Sequence, residues 1–246
     1  MRNRPVVQLG EHEKAFARRL VRHEDRSLLV LDKPPGLACE VRGRRNVRTL
    51  NRLLWAFARS NGKRPHLAHR LDAETSGVIL AAQTRPAAAA LQKAFETRRM
   101  RKVYLALVTG AGPEKARGRI DAPIRRARHK SGEVAQVCEP SDEGARPAVT
   151  HWRVLACRAG SALVELRPET GRMHQIRVHL GSIGLTIAGE KRHGTGAPAP
   201  RLMLHAAAIA GPHPEGGRFA HRAPVPADFA DMARLMGLAA GLEDAY

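Results

Sequence analysis

Between positions 69 and 77 the chain reads His69-Arg70-Leu71-Asp72-Ala73-Glu74-Thr75-Ser76-Gly77. Two cations, two anions, two hydroxyls and a closing glycine stand in this run around one large apolar residue, Leu71. An aspartate with an ordinary pKa of about 3.9 is ionised at neutral pH, so Asp72 can act as a nucleophile or as a fixed negative charge. A guanidinium beside it would keep it ionised and aim it through paired hydrogen bonds. The apolar run Val78-Ile79-Leu80-Ala81-Ala82 follows at once and reads as a buried strand. A polar loop that feeds a core strand is held at one end, which suits a preorganised site. The same residue types also make an ordinary charged turn, shaped by Thr75, Ser76 and Gly77. Residue types alone leave both readings open.

The surrounding elements follow from periodicity. Residues 1–26 are mostly charged, arginine outnumbering acid, and read as a basic arm or edge segment. Leu28-Leu29-Val30-Leu31 is a short strand that ends at Pro34-Pro35-Gly36. Asp32 and Lys33 read as a local ion pair shaping that turn. Arg42-Gly43-Arg44-Arg45 is a basic, solvated loop. Val47, Leu50, Leu53, Leu54 and Phe57 recur at helical spacing, with the helix closing near Asn61-Gly62. Pro86 suits the first turn of a second helix whose Ala87, Leu91, Ala94 and Phe95 face the core. Strand alternation over 102–108 puts Tyr104 on the face opposite Leu105. The stretch 110–147, which holds Arg125-Arg126-Ala127-Arg128-His129-Lys130, predicts hairpins and loops with a rim that either meets phosphates or stays solvated. Residues 150–155 and 162–167 form a strand pair turned at Arg158-Ala159-Gly160. A helix over 174–184, a loop over 189–200, a strand over 202–209 and a final helix carrying Phe229, Met232, Leu235 and Met236 complete the chain. No repeat and no linker is visible, so one domain over 1–246 is expected.

Composition limits the partners. Lys and Arg number 42 against 23 Asp and Glu, a net charge of +19. Such a field favours a polyanion, nucleic acid first; no long basic amphipathic segment suggests a membrane surface. Two Trp, two Tyr and five Phe are poor material for a sheet that grips RNA by repeated base stacking. Cys39, Cys138 and Cys157 lack the spacing of a disulfide framework or a zinc site, and free thiols fit a reducing compartment. With no 18-residue apolar stretch and no signal-like N-terminus, a soluble cytoplasmic protein is expected.

His69 to Gly77 resembles the signature of the RluA-type family of RNA pseudouridine synthases. Leu29 to Leu37 resembles that family's first motif and Lys102 to Val108 its tyrosine strand. Thr170 to Leu180 resembles its third motif, and Arg201 to Ala206 its late strand. These stand in family order across residues 28 to 214. The resemblance implies an α+β pseudouridine synthase fold, a mixed and mostly antiparallel sheet flanked by helices and loops. It implies an isomerase acting on ribosomal or transfer RNA, needing no cofactor and no metal, and expected to be a monomer. Many relatives carry a small S4-type domain in front, for which residues 1–26 are too short. Asp72 becomes the catalytic aspartate, Arg177 its salt-bridge partner and Tyr104 the ring stacked on the target base; Arg172 is the second choice for the ion pair. Arg70 would fill the gap left by an extruded nucleotide. Arg172, His69 and Thr75 join Arg70 on the substrate side, with His69, Thr75 and Ser76 assigned mainly to shaping the loop. His174 is assigned to its own helix region rather than to acid–base work.

Two departures matter. After Gly36-Leu37 the family's His-Pro is replaced by Ala38-Cys39-Glu40-Val41, and its Gly-Asp-x-x-Tyr-Gly appears as Gly189-Glu190-Lys191-Arg192-His193-Gly194. Rival readings fare worse. His-Arg-Leu-Asp places Leu71 where a kinase loop would already have its aspartate, and no glycine-rich loop or Asp-Phe-Gly accompanies it. Gly189 to Thr195 lacks the P-loop Gly-Lys-Ser/Thr. A catalytically silent RNA binder on the same fold is the remaining alternative, and the presence of Asp72, Tyr104 and Arg177 together argues against it.

Overall fold

The computed structural model describes residues 7–41, 48–110, 115–129 and 132–243. Arg2, Arg4, the basic loop Arg42 to Arg45, Val47 and Lys130 lie outside the described residues. In chain order the elements are α1 (Glu11–Arg19), β1 (Val21–Glu24), β2 (Leu28–Lys33), α2 (Leu50–Leu53), β3 (His66–Leu67), β4 (Ser76–Ala82), α3 (Arg85–Glu96), β5 (Arg101–Gly110), β6 (Arg117–Asp121), β7 (Ile124–His129), β8 (Gly132–Val137), β9 (Val149–Arg158), β10 (Ser161–Pro168), α4 (Gln175–Ser182), β11 (Leu185–Ile187), β12 (Leu204–Pro212), β13 (Arg218–Arg222) and α5 (Ala227–Leu235). These elements fall into two compact units. The first comprises Met1–Met100 and Ile209–Ala223, the second Arg101–Ala208 and Pro224–Tyr246. Both are discontinuous in sequence. One boundary falls inside β12, so no change of composition marks it.

In the first unit β2 pairs antiparallel with β1 and β4, and β3 pairs with β4. Leu28 to Leu31 and Ile79 to Ala82 are buried on both faces, which accounts for unbroken apolar runs in place of alternation. Helix α3 starts where the Thr84 hydroxyl accepts the Ala87 N–H at 3.3 Å, with Pro86 in the first turn. Within the segment expected to be an arm or edge, β1 stands at the end of the sheet order. From Glu11 that segment forms α1, with Glu13 accepting the Gly10 N–H at 3.2 Å and Arg18 and Arg19 in the last turn, both favourable to the helix dipole. Only a thin strip, Ala17 and Leu20, is buried, so composition alone hides the helix. The helix expected over 47–57 appears as α2 followed by a 3-10 turn, Leu54–Phe57. Its spacing nevertheless identifies the buried residues Leu50, Leu53, Leu54 and Phe57.

In the second unit β5 neighbours β10 and β12 and also pairs with β11, and the sheet continues from β10 to β9 and then β6. β7 and β8 form a separate hairpin. The pairings of β5, β9 and β10 are antiparallel, in keeping with the α+β architecture. Leu105 to Val108, Leu163, Val164 and Leu166 form the core, joined by Leu180 of α4 and Phe229 of α5.

The β9–β10 hairpin closes on Ala159 and Gly160, with φ of 46° and 74°, between the paired residues Arg158 and Ser161. Two successive left-handed residues are the type I′ geometry that matches strand twist, and a Cβ in that region costs about 1–2 kcal/mol. Replacement Ala159→Gly is therefore expected to stabilise the chain by about 0.5–1 kcal/mol in urea unfolding. A loss of stability would contradict this reading of the turn.

Candidate active site

In the first unit the loop preceding β4 is pinned at several points. Leu71 is buried and Arg70 exposed, while Asp72 is half-buried. The Thr75 N–H donates to the Asp72 carbonyl at 3.1 Å, closing a turn, and the Gly36 N–H donates to the Ala73 carbonyl at 2.8 Å. The Lys33 ammonium, fully buried, donates to the carbonyls of Pro34 at 2.9 Å, Leu37 at 3.0 Å and Ala73 at 2.9 Å. An ammonium carries three donors, and here three carbonyls surround it. The expected Asp32–Lys33 pairing is thus corrected. Successive strand residues point to opposite faces, and Asp32 meets Arg22 at 2.8 Å instead. Lys33 ties the Pro34-Pro35-Gly36 turn to the residue next to Asp72.

Buried Cys39 replaces the His-Pro of the family pattern's first motif. Its sulfur lies 3.4 Å from the Leu71 N–H and 3.3 Å from the Leu71 carbonyl. Burial pushes its thiol pKa up, so it stays protonated and serves to hold the loop. His69 accepts the Leu80 N–H on Nε2 at 3.1 Å, and its ring lies 4.9 Å from that of Phe95. Thr75 is only 2% exposed. Both side chains are built into the loop, as the assignment to loop shape expects.

In the second unit the register aligns Tyr104 with Leu166, Leu166 with Trp152 and Trp152 with Gly118. These four share one face of the sheet. A Cβ on Gly118 would fall 2.8 Å from the Trp152 indole, so a glycine lets the ring lie flat across the strand. Lys102, two residues before Tyr104, donates to the Thr170 carbonyl at 2.8 Å, and burial lowers its pKa to about 8.

Helix α4 is anchored to the start of β9. Gln175 donates to the Val149 carbonyl at 2.9 Å and the Thr150 hydroxyl at 3.0 Å, and its Oε1 accepts the Thr170 hydroxyl at 2.7 Å and the Arg172 N–H at 3.0 Å. His179 is the next turn's contact, 2.9 Å from the Thr150 hydroxyl and 3.0 Å from the Ala122 carbonyl. The carbonyl requires a proton on Nε2, and burial lowers the His179 pKa, so the ring is neutral. His174 caps the helix in a left-handed conformation, φ 52°, with Nδ1 2.7 Å from Nε2 of His193.

Arg177 is 4% exposed and is gripped by Glu190, 5% exposed. Nε donates to Oε2 and Nη2 to Oε1, both at 2.6 Å. The same Oε1 accepts the N–H groups of Lys191, Arg192 and His193 at 2.9, 2.7 and 3.2 Å. Burial alone would raise the Glu190 pKa; the Arg177 hydrogen bonds and these N–H groups outweigh it and hold the carboxyl at about 2. Gly189 makes the approach possible, because its φ is +79° and a Cβ there would collide with the Arg201 carbonyl. Glu190, in the sequence a departure from pattern, is therefore the carboxylate that fixes Arg177 in this unit. Arg172 donates from Nε to the Pro147 carbonyl at 3.2 Å.

Among the described residues no group of three or more His, Cys, Asp or Glu is placed to hold a metal ion, and no helix is long and apolar enough to cross a membrane.

A family model described as RNA pseudouridylate synthase matches residues 27–182. A protein of Chloroflexus aurantiacus named as an uncharacterized RNA pseudouridine synthase is 42% identical, over 67% of this chain and 51% of its own length. The chain thus spans about half of that relative. A similarly named protein of Zymomonas mobilis is 35% identical over 85% of this chain and 94% of its own. The ribosomal large subunit pseudouridine synthase D of the same species is 35% identical over 79% and 65%. Among solved structures, human RNA pseudouridylate synthase domain containing 4 superposes with a TM-score of 0.75 at 26% identity, over 92% of this chain and 97% of that one.

Two outcomes follow from this geometry. Lys33→Met leaves buried carbonyls without their donor and is expected to cost about 3 kcal/mol in denaturant unfolding; a loss below about 1 kcal/mol would show that the ammonium does not hold the loop. The Glu190 carboxyl titrates near 4.5 when unfolded and near 2 when folded. Its contribution, about 3 kcal/mol, is whole above pH 4.5 and fades as pH falls toward 2. Glu190→Gln should flatten the decline of unfolding free energy between those pH values, and an unchanged slope would contradict the assignment.

Proposed function

The chain belongs to the RNA pseudouridylate synthase family, and from that premise we propose that it isomerises specific uridines of structured ribosomal or transfer RNA, with Asp72 as the catalytic carboxylate acting on a flipped-out nucleotide. The N1–C1′ bond breaks, the uracil turns, C5 joins C1′, the C5 proton leaves and N1 regains a proton. No electrons are exchanged with a cofactor and no phosphoryl group moves. The demands on the protein are an ionised carboxylate, a means of aiming it, a ring against the base, and contacts that keep the nucleotide out of its helix.

One observation carries this reading. Asp72 is held half-buried between Leu71 and Ala73, and both neighbours have their backbone pinned, by Cys39 and by Lys33 with Gly36. A carboxylate on a fixed backbone is preorganised for the transition state. Tyr104 is the ring for the target base. Arg177 is the counter-cation of Asp72, with Arg172 as second choice. Within its own unit Glu190 already takes Nε and Nη2 of Arg177. Exposed Arg70 fills the vacated stack. On the β7–β8 hairpin Arg126 and Arg128 are exposed and serve as a phosphate-contacting rim. A cytoplasmic monomer is part of the same proposal.

Asp72→Asn is expected to abolish tritium release from RNA carrying [5-3H]uridine while leaving RNA affinity within about threefold of wild type. Undiminished release from the variant would overturn the role of Asp72. Absence of release from the wild-type chain on any cellular RNA would instead favour a silent RNA binder.

A further inference from the structure

The face of the second unit's sheet turned away from Tyr104 carries a different set of side chains. The register places Arg117 opposite Arg153 and Arg119 opposite His151, then Arg153 opposite Glu165 and His151 opposite Arg167. Alternation along the strands puts all six on one face, in two cross-strand rows about 7 Å apart. They line a cavity of about 410 Å³, within the range of about 300–1,000 Å³ of pockets that enclose small ligands. β6 is the last strand in the sheet order, so the cavity opens at an edge.

The charges in this groove do not balance. Glu165, 2% exposed, lies on its floor and accepts from Arg153 Nη2 at 2.8 Å and Arg167 Nε at 2.7 Å. One carboxylate therefore fixes two guanidiniums. Arg119 meets Asp121 at 2.7 Å, and His151 meets Glu169 at 2.7 Å. Four arginines and His151 face the carboxylates of Glu165, Asp121 and Glu169, so the guanidiniums outnumber the carboxylates by one. Arg117 and Arg153 stand directly opposite one another, and like charges so placed cost stability in an antiparallel pair. An anion seated between Arg117 and Arg153 removes that cost. Arginines held by a buried carboxylate are also preorganised, so little side-chain entropy is lost when they bind.

We infer that this groove is a second RNA-binding site, which takes two successive phosphates of the substrate backbone at a segment remote from the target uridine. The row spacing is close to the step between neighbouring phosphates of an extended strand, and guanidinium forks suit phosphate oxygens. The inference rests on the RNA-modifying reading above but involves none of its catalytic residues. Contacts of this kind add affinity and set register without reading bases.

The test is the salt dependence of binding to a folded large-subunit ribosomal RNA transcript. The variants are Arg117→Gln/Arg119→Gln and, as the charge-conserving control, Arg117→Lys/Arg119→Lys. Neither residue touches Glu165, so its two ion pairs stay intact, and an unchanged melting temperature confirms the fold. Each phosphate contact contributes about 0.7–0.9 to the slope of log affinity against log salt. The glutamine variant is expected to lose about 1.5 from that slope, which at 0.1 M salt is about thirtyfold in affinity relative to 1 M. The lysine variant should keep most of it. An unchanged slope in the glutamine variant overturns the inference while wild-type binding leaves the RNA reading standing. Loss of binding to polyglutamate but not to RNA also overturns it, in favour of an acidic protein partner.

Discussion

A buried ammonium is the constraint on which the proposed catalytic loop depends. Taking the Lys33 charge out of water is costly, and the fold offsets that cost with three carbonyls from two separate stretches of chain. Two of these carbonyls belong to the turn after β2 and the third to Ala73. The ammonium therefore does what a hydrogen-bonded ladder cannot do between irregular segments: it fixes one loop against another at a single point. The Gly36 N–H on the same Ala73 carbonyl and the Cys39 sulfur at Leu71 bracket the position of Asp72. The Asp72 side chain itself stays half-buried, while rigidity comes from its neighbours.

The second unit solves a related problem with the opposite charge. Arg177 lies on a helix whose neighbouring residues are committed elsewhere, Gln175 and His179 to β9, Ile176 and Leu180 to the core. Its guanidinium is oriented by Glu190, and Glu190 is oriented by three backbone N–H groups of its own loop. Replacement of an aspartate by a glutamate in the familiar pattern adds one methylene of reach. The loop accommodates it through the backbone freedom of Gly189 and its close approach to Arg201. The departure thus preserves a carboxylate at that position.

Much of this was legible in the sequence, for definable reasons. The apolar runs of β2 and β4 and the capped start of α3 are local signals, and local physics decided them. The alternation that puts Tyr104 opposite Leu105 is equally local. Asp32 and Lys33 do not pair with one another, because adjacent residues of a strand point to opposite faces. α1 was hidden because its buried strip is two residues wide. One crossing between the units falls within β12 and leaves no compositional mark. The partner of Arg177 and the groove around Glu165 depend on pairing between distant strands and loops. No window of sequence contains that information.

We propose that a fixed Asp72 turns uridine into pseudouridine in cellular RNA. The most direct test is a comparison of pseudouridine across the total RNA of cells carrying the wild-type chain, cells lacking it, and cells carrying the Asp72→Asn chain at equal abundance. At least one position is expected to be modified only in the wild-type cells and restored by no level of the variant. An identical set of modified positions in all three would contradict the proposal.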